Sequence, residues 1–424
     1  MLAVTPEASG CSQRHPKCER SLSARPVVAF APVLRRILAV SLAVVTLVAC
    51  STTARQQGTG LRPAKSPPIT QPGLSPTPST TLKPPGPLQF TQLSVAQELV
   101  APWAIDFAKD GSAWLTERPG RVRVIRNGRL LTDPAVTISV ATANGCEDGL
   151  LGIAIGEPYV YVYYTYSGSG GNTNRVSRFS ISGDKLVSEQ VLVDGIPGGT
   201  CYHFGGRLKL GPDGWLYFTT GEGFVASRAA DPNSLSGKVM RVHVDGSGRE
   251  VFAWGFRNPQ GLAFDSMGRL YVSNNGPTGD LGLCCNDEVD LVQRGGFYGW
   301  PEWAASTRTS YPQGSLPAAR ILPVAESGRS TAWAPSGMTF YAPSRDEMPT
   351  LLLAELKGEA LRRLVIDPAD PAKATSQEIV LQGQGRLRDA VAGPDGCLYL
   401  LTSNRDSRGT PRPGDDQVLK LCPR

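Results

Sequence analysis

The chain of 424 residues has 43 Lys plus Arg against 37 Asp plus Glu, a formal charge of +6, with 41% hydrophobic residues, 47 Gly and 35 Pro. So many turn formers exclude a helical bundle and fit a β-rich globular protein, for which one domain of this length is ordinary. Residues 1–49 alone hold a net +4, leaving about +2 for the rest, so there is no electrostatic case for a nucleic-acid partner.

The chain opens on an address. Residues 1–49 read as a signal peptide, in which Arg35-Arg36 precede the apolar run from Ile37 to Ala49. That run is too short to cross a bilayer comfortably and suits the core of an export signal. The segment ahead of it is long and bears Pro and Cys, and the signal proper is expected to start near Val33. Leu47-Val-Ala-Cys50 resembles a bacterial lipobox, which implies cleavage before Cys50, lipidation of its sulfur and anchoring at the outer face of the cell membrane. From Cys50 to about residue 90 the chain is Pro, Ser, Thr, Gln and Gly with few apolar residues. Such a stretch cannot bury enough surface to fold and is expected to be a disordered tether.

Six cysteines remain beyond Cys50: Cys146, Cys201, Cys284, Cys285, Cys397 and Cys422. An even set in an exported protein suggests disulfides, and spacing alone leaves fifteen formal pairings. The preferred set is Cys146 with Cys201, Cys397 with Cys422, and a vicinal Cys284–Cys285.

Residues 91–424 repeat one grammar: a Gly-containing lead-in, an apolar strand, a Gly turn and an aromatic strand. The units begin near Pro102, Asp148, His203, Pro259, Pro335 and Arg388. Turns such as Pro212-Asp-Gly214 and Pro394-Asp-Gly396 suit hairpins, because Gly accepts the positive φ they need. The expectation is an all-β, six-bladed β-propeller of four-stranded antiparallel blades, with a two-sheet sandwich as the alternative. The lead-ins of a propeller meet at one end of the central channel, which would bring His203, Asn258, Arg386 and Arg388 to a common pocket. His203 is then the candidate base: His15 falls in the signal segment, and His243 reads as a strand-surface residue.

Several motifs in this order resemble the soluble pyrroloquinoline-quinone (PQQ)-dependent sugar dehydrogenases of the glucose/sorbosone dehydrogenase family. They are Thr116-Glu-Arg-Pro-Gly-Arg121, His203-Phe-Gly-Gly-Arg-Leu208, Gly255-Phe-Arg-Asn-Pro-Gln-Gly261, Asn275-Gly-Pro277, Tyr298-Gly-Trp-Pro301 and Arg386-Leu-Arg-Asp389. The resemblance runs from about residue 95 to the C-terminus. It implies oxidation of an aldose at C1 to the lactone, hydride transfer to PQQ, and delivery of electrons to an external acceptor. It implies His203 as general base, Arg257 as a catalytic cation and Asn258 beside it. Lys357, Arg386 and Arg388 would hold the cofactor's carboxylates. Ca²⁺ would sit on the carbonyls of Gly276 and Pro277. Because Arg386 and Arg388 are two apart, a regular strand would point them to opposite sides, so a bend is required for both to serve.

Three departures from the family pattern stand out. Glu147 takes the place of a neutral amide near the cofactor, Tyr202 takes the place of an acid beside the histidine, and Thr278–Asn286 carries the cysteine pair. The vicinal pair could wall the cofactor or brace its loop, and bracing is preferred. A non-enzymatic cell-surface propeller that has lost PQQ is the alternative function. A Ca²⁺-dependent propeller lactonase, recruiting Glu147, Asp148 and Glu222, is the third.

Overall fold

The computed structural model describes residues 82–312 and 319–424. The signal segment, Cys50 and most of the expected tether lie outside the described residues. Among the described residues the chain forms a six-bladed propeller, built from six antiparallel sheets of which five have four strands and the first adds a short extra edge strand, beside a separate two-stranded sheet of Trp303–Ala304 with Thr307–Arg308.

Period-two alternation makes the blades. In Arg121–Arg126 the buried Val122 and Val124 alternate with the half-exposed Arg121 and Arg123. Each buried valine contributes about 1.5–3 kcal/mol of transfer free energy. Leu351, Leu352 and Leu353 are buried in succession because the two faces of their strand pack against different neighbours. The ring is closed by pairing the first of the described strands with the last. Phe90–Ala96 pairs with Val418–Pro423, from Phe90 opposite Pro423 to Ser94 opposite Leu419. This hides the edge that an open sheet would leave. Ahead of that strand, at the end of the stretch expected as tether, Lys83 pairs with Asp346 and Arg363 donates to the Gly86 carbonyl.

The six expected unit starts fall in or ahead of the innermost strands, Asp148 and His203 preceding theirs: Pro102–Phe107, Leu150–Gly156, Leu208–Leu210, Asn258–Phe264, Pro335–Tyr341 and Leu387–Ala392. In five of them the register slips at the entry, between Pro102 and Ile105, Leu150 and Ile153, Pro259 and Gly261, Pro335 and Met338, and Leu387 and Asp389. A bulge lets neighbouring side chains leave the strand on the same side. The entries of five of the six innermost strands, at Glu147, His203, Asn258, Ala334 and Arg386, line one cavity.

All three preferred disulfides are present: Cys146–Cys201, Cys284–Cys285 and Cys397–Cys422. Among the described residues no helix is long and apolar enough to cross a membrane.

Candidate active site

The cavity at the strand entries holds about 620 Å³, within the range of small-molecule sites. His203, Arg257, Asn258, Gly276, Lys357, Arg386, Arg388 and Glu147 all line it, so the expected residues converge. Pro277, next to Gly276, is buried but does not line it. A second hollow of about 340 Å³ lies at the opposite strand ends, around Leu210, Phe264 and Phe340. It has no comparable gathering of charge.

His203 is buried and has a left-handed backbone, φ +63°. Its carbonyl lies against Gly221, where an added Cβ would come within 2.0 Å of it, so only glycine fits there. The next residue, Glu222, follows the strand Trp215–Thr220 and puts Oε1 2.5 Å from His203 Nδ1. An ionised carboxylate only accepts, so Nδ1 carries the proton and Nε2 keeps its lone pair. Phe224 stacks on the imidazole with ring centroids 4.6 Å apart. A histidine gripped at Nδ1 and covered on one face can take a proton at Nε2 without changing orientation. His243, by contrast, stacks on Trp215 at 3.6 Å and does not line the cavity.

Glu147 ties the site together. Its Oε2 accepts from the His203 backbone N–H at 2.9 Å and from Asn258 Nδ2 at 3.4 Å, while Oε1 accepts from Arg408 at 2.8 Å. Burial pushes its pKa up, but its interactions with His203 and Arg408 outweigh that and bring it below the usual carboxylate range. The negative charge that departs from the family pattern is therefore balanced by a cation of its own. The Cys146–Cys201 bridge fixes the loops on either side, and Glu147 N–H donates to the Cys201 carbonyl at 2.8 Å.

Arg386 and Arg388 both reach the cavity because the strand bulges between Leu387 and Asp389. This is the bend their spacing requires. Asp406 accepts from both, at 3.0 Å and 3.5 Å, and Arg388 also donates to Gln260 Oε1 at 2.8 Å. Two guanidiniums thus share one carboxylate. Burial, only partly offset by Asp406 and reinforced by Arg386 and Arg118, draws the Arg388 pKa down to about 9. Its buried Nε has no partner. Lys357 is exposed on the rim, and no ion pair with a described residue engages it.

Arg257 is held from the cysteine-bearing insertion. Asp280 accepts from its Nε at 2.8 Å and its Nη2 at 3.0 Å. Cys284 lines the cavity while Cys285 is buried, so the vicinal disulfide forms part of the wall. Asp287 shapes the same side, accepting from Gly276 N–H at 2.8 Å and from the N–H groups of Trp333 and Ala334 at 2.7 and 3.0 Å. Gly276 has no room for a side chain, since a Cβ would lie 2.0 Å from the Cys285 carbonyl and 2.4 Å from that of Asn286.

Among the described residues no three His, Cys, Asp or Glu side chains gather as a metal cage. Asp148 is instead occupied by the Ala143 N–H and Asn172, away from the Glu222–His203 pair. Sequence reasoning missed Arg408 and Asp406 and gave Glu222 no role beside the histidine. Their partners are remote in the chain, and nothing in the Arg405–Arg408 turn distinguishes it from surface.

Residues 99–410 match the family described as Glucose / Sorbosone dehydrogenase. The aldose sugar dehydrogenase of Escherichia coli is 29% identical over 76% of this chain and 90% of its own length. Among solved structures, a Thermus thermophilus oxidoreductase described as a glucose dehydrogenase is 39% identical with a TM-score of 0.69, covering 78% of this chain and all of that one. The PQQ-bound aldose sugar dehydrogenase of Streptomyces coelicolor is 30% identical with a TM-score of 0.66, covering 79% of this chain and 98% of that one.

Proposed function

The chain belongs to the Glucose / Sorbosone dehydrogenase family, and from that premise we propose that it oxidises an aldose at C1 to the lactone, with PQQ as cofactor and His203 as base. The observation that carries this reading is the Glu222–His203 pair facing the same cavity as Arg386 and Arg388.

The residues present fit the quinone. A trianion needs fixed cations, and Arg386, Arg388 and Lys357 supply them around a cavity of suitable volume, while Arg408 is paired with Glu147. The unpartnered Nε of Arg388 and its depressed pKa mark a cation whose charge is not fully met by the protein. A bound carboxylate would complete its pairing. Calcium is a hard cation served by oxygen donors, and the family resemblance implies the backbone carbonyls of Gly276 and Pro277 as the groups that would hold it, of which Gly276 lines the cavity and Pro277 does not. When bound, the quinone supplies the acceptor for the C1 hydride, and the ion supplies charge stabilisation at the quinone oxygen.

This chain's own residues manage the proton. His203 Nε2 accepts it from the C1 hydroxyl as the C–O bond becomes a carbonyl, and Glu222 stabilises the imidazolium that results. Glu147 accepts from the His203 N–H, and Asn258 braces the same turn by accepting from the Gly205 N–H and donating to Glu147. Arg257, oriented by Asp280, places positive charge beside the cavity.

An export signal, a lipid anchor at Cys50 and the Pro-rich tether complete the proposal, holding the propeller at the outer face of the membrane, where an external acceptor collects the electrons. Purified protein supplied with PQQ and Ca²⁺ and assayed by dye reduction over a panel of aldoses tests the activity. Aldose-dependent reduction is expected. Its absence, together with absence of quinone binding by calorimetry, refutes it.

A further inference from the structure

The three disulfides differ in what they close. Cys146–Cys201 and Cys397–Cys422 span 55 and 25 positions, whereas Cys284–Cys285 joins neighbours. A cross-link stabilises a fold mainly by restricting the unfolded chain, and the effect grows with the loop it closes. Joining two adjacent residues restricts almost nothing of the unfolded chain, so fold stability does not account for the vicinal bridge. Its effect is local, on the cavity wall.

That stretch of wall carries the partner of Arg257. Thr278 pairs with Cys284 in antiparallel fashion, and Gly279 N–H donates to the Leu283 carbonyl at 2.8 Å, so residues 278–284 form a hairpin. Asp280 stands near its tip, accepts from Thr278 N–H at 2.7 Å, and from there grips Arg257 Nε and Nη2. The returning limb ends at the bridge. Cys285 is buried with its carbonyl against Gly276, and Asn286 is tied to the Gly328 carbonyl and to Thr307. The bridge therefore joins the last residue of the hairpin to a fixed point of the fold.

The two sulfurs differ in access. Cys284 is exposed and lines the cavity, while Cys285 is 2% exposed. None of the four cysteines in the other bridges is exposed: Cys397 is buried, and Cys146, Cys201 and Cys422 are half-buried. Thiol–disulfide exchange needs a thiolate to reach a sulfur, so the cavity offers the vicinal bridge to a reductant first.

We propose that Cys284–Cys285 is a thiol-sensitive latch, which holds the Asp280 hairpin against Arg257 and is opened by a dithiol entering the cavity, so that Arg257 is released and the binding of an anionic cofactor weakens. A thiolate of the dithiol attacks Cys284 Sγ, the bond between the two protein sulfurs breaks, and Cys285 leaves and takes up a proton. The second thiol of the reductant then displaces Cys284, which is protonated in turn. The protein gains two thiols and the dithiol becomes a disulfide, a transfer of two electrons and two protons. The inference rests on the proposed quinone site only for the identity of the anion.

Dithiothreitol treatment of the cofactor-free protein, with thiols trapped by iodoacetamide and located by peptide mass spectrometry, is expected to label Cys284 and Cys285 roughly tenfold faster than the other four cysteines. Equal rates at all three bridges, or earlier opening of another, would overturn the latch. Cys284→Ser combined with Cys285→Ser gives the open form without added bulk. Hydrogen exchange at the Gly279 amide should be about tenfold faster in this double variant, with the thermal midpoint unchanged. Unchanged exchange, or a large fall in the midpoint, would overturn the proposal. Calorimetry with PQQ and Ca²⁺ should show binding weakened about tenfold in the double variant, the worth of one charged hydrogen bond. The same two substitutions should have almost no effect in an Arg257→Leu background, because they act through one contact. Equal weakening in both backgrounds would show that the bridge does not act through Arg257. A parent protein that binds no quinone, with selective labelling and faster exchange as expected, would instead refute the quinone reading and leave the latch standing.

Discussion

Glu222 Oε1 stands 2.5 Å from His203 Nδ1, with both side chains buried. This contact fixes the tautomer that frees Nε2 toward the cavity. Glu222→Gln removes the charge that stabilises the imidazolium and lets the ring adopt the wrong tautomer. Turnover is expected to fall by about 10²–10⁴-fold, with quinone affinity almost unchanged. Steady-state dye reduction and calorimetry on the same preparation separate the two effects.

Glu147 is one of two acids that line the cavity, the other being Asp287, and it is paired with Arg408. In Glu147→Gln the carbonyl of the new amide can still accept from His203 N–H, while Arg408 loses its partner and turns toward the cavity. Quinone binding should tighten roughly tenfold at low salt and less at high salt, since screening weakens the interaction. Titration calorimetry at two ionic strengths measures this, and weaker binding at both would show that the carboxylate helps the site.

Arg388 is pressed by burial and by Arg386, and its Nε is unpaired. Arg388→Leu should weaken quinone binding about tenfold or more, as expected for a lost charged hydrogen bond. Thermal stability should change little, because Asp406 remains paired with Arg386 at 3.0 Å. A large loss of stability with unchanged affinity would make Arg388 a structural residue.

The strand entries of the propeller were readable because each carries local signals, as in Pro102-Trp-Ala-Ile-Asp-Phe107 and Pro335-Ser-Gly-Met-Thr-Phe340, and those spans are inner strands. The need for a bend between Arg386 and Arg388 was also legible from period two, and the bulge supplies it. Arg408 was not legible. It meets Glu147 across 261 positions of sequence, and a Ser-Arg-Gly turn gives no hint that blade closure carries it to the cavity. Glu222 escaped for a related reason. Its carboxylate meets His203 only because Gly221 lets two backbones approach closely.

Asp406 gives a pH dependence whose sign is fixed. Burial opposes its ionisation, but Arg386 and Arg388 outweigh that and lower its pKa below the ordinary 3.8. The unfolded state therefore binds the proton first as pH falls. The stabilisation is complete above the unfolded value and is lost as pH drops through the folded one. Asp406→Asn should be less stable at neutral pH, and its deficit should shrink as pH falls below about 4. Denaturant melts across that range measure it.

The Cys397–Cys422 bridge joins the two strands next to the ring closure. Replacing both with alanine should cost about 3 kcal/mol for a loop of this length, seen as a lower denaturation midpoint. The cavity lies at the other strand ends, so quinone affinity should be unchanged.

The most direct measurement compares the parent protein with His203→Asn after loading both with PQQ and Ca²⁺, following quinone binding by calorimetry and aldose-dependent dye reduction in parallel. Stoichiometric binding in both proteins, with turnover confined to the parent, is the predicted result. Turnover that survives in His203→Asn, or a parent protein that binds no quinone, would contradict it.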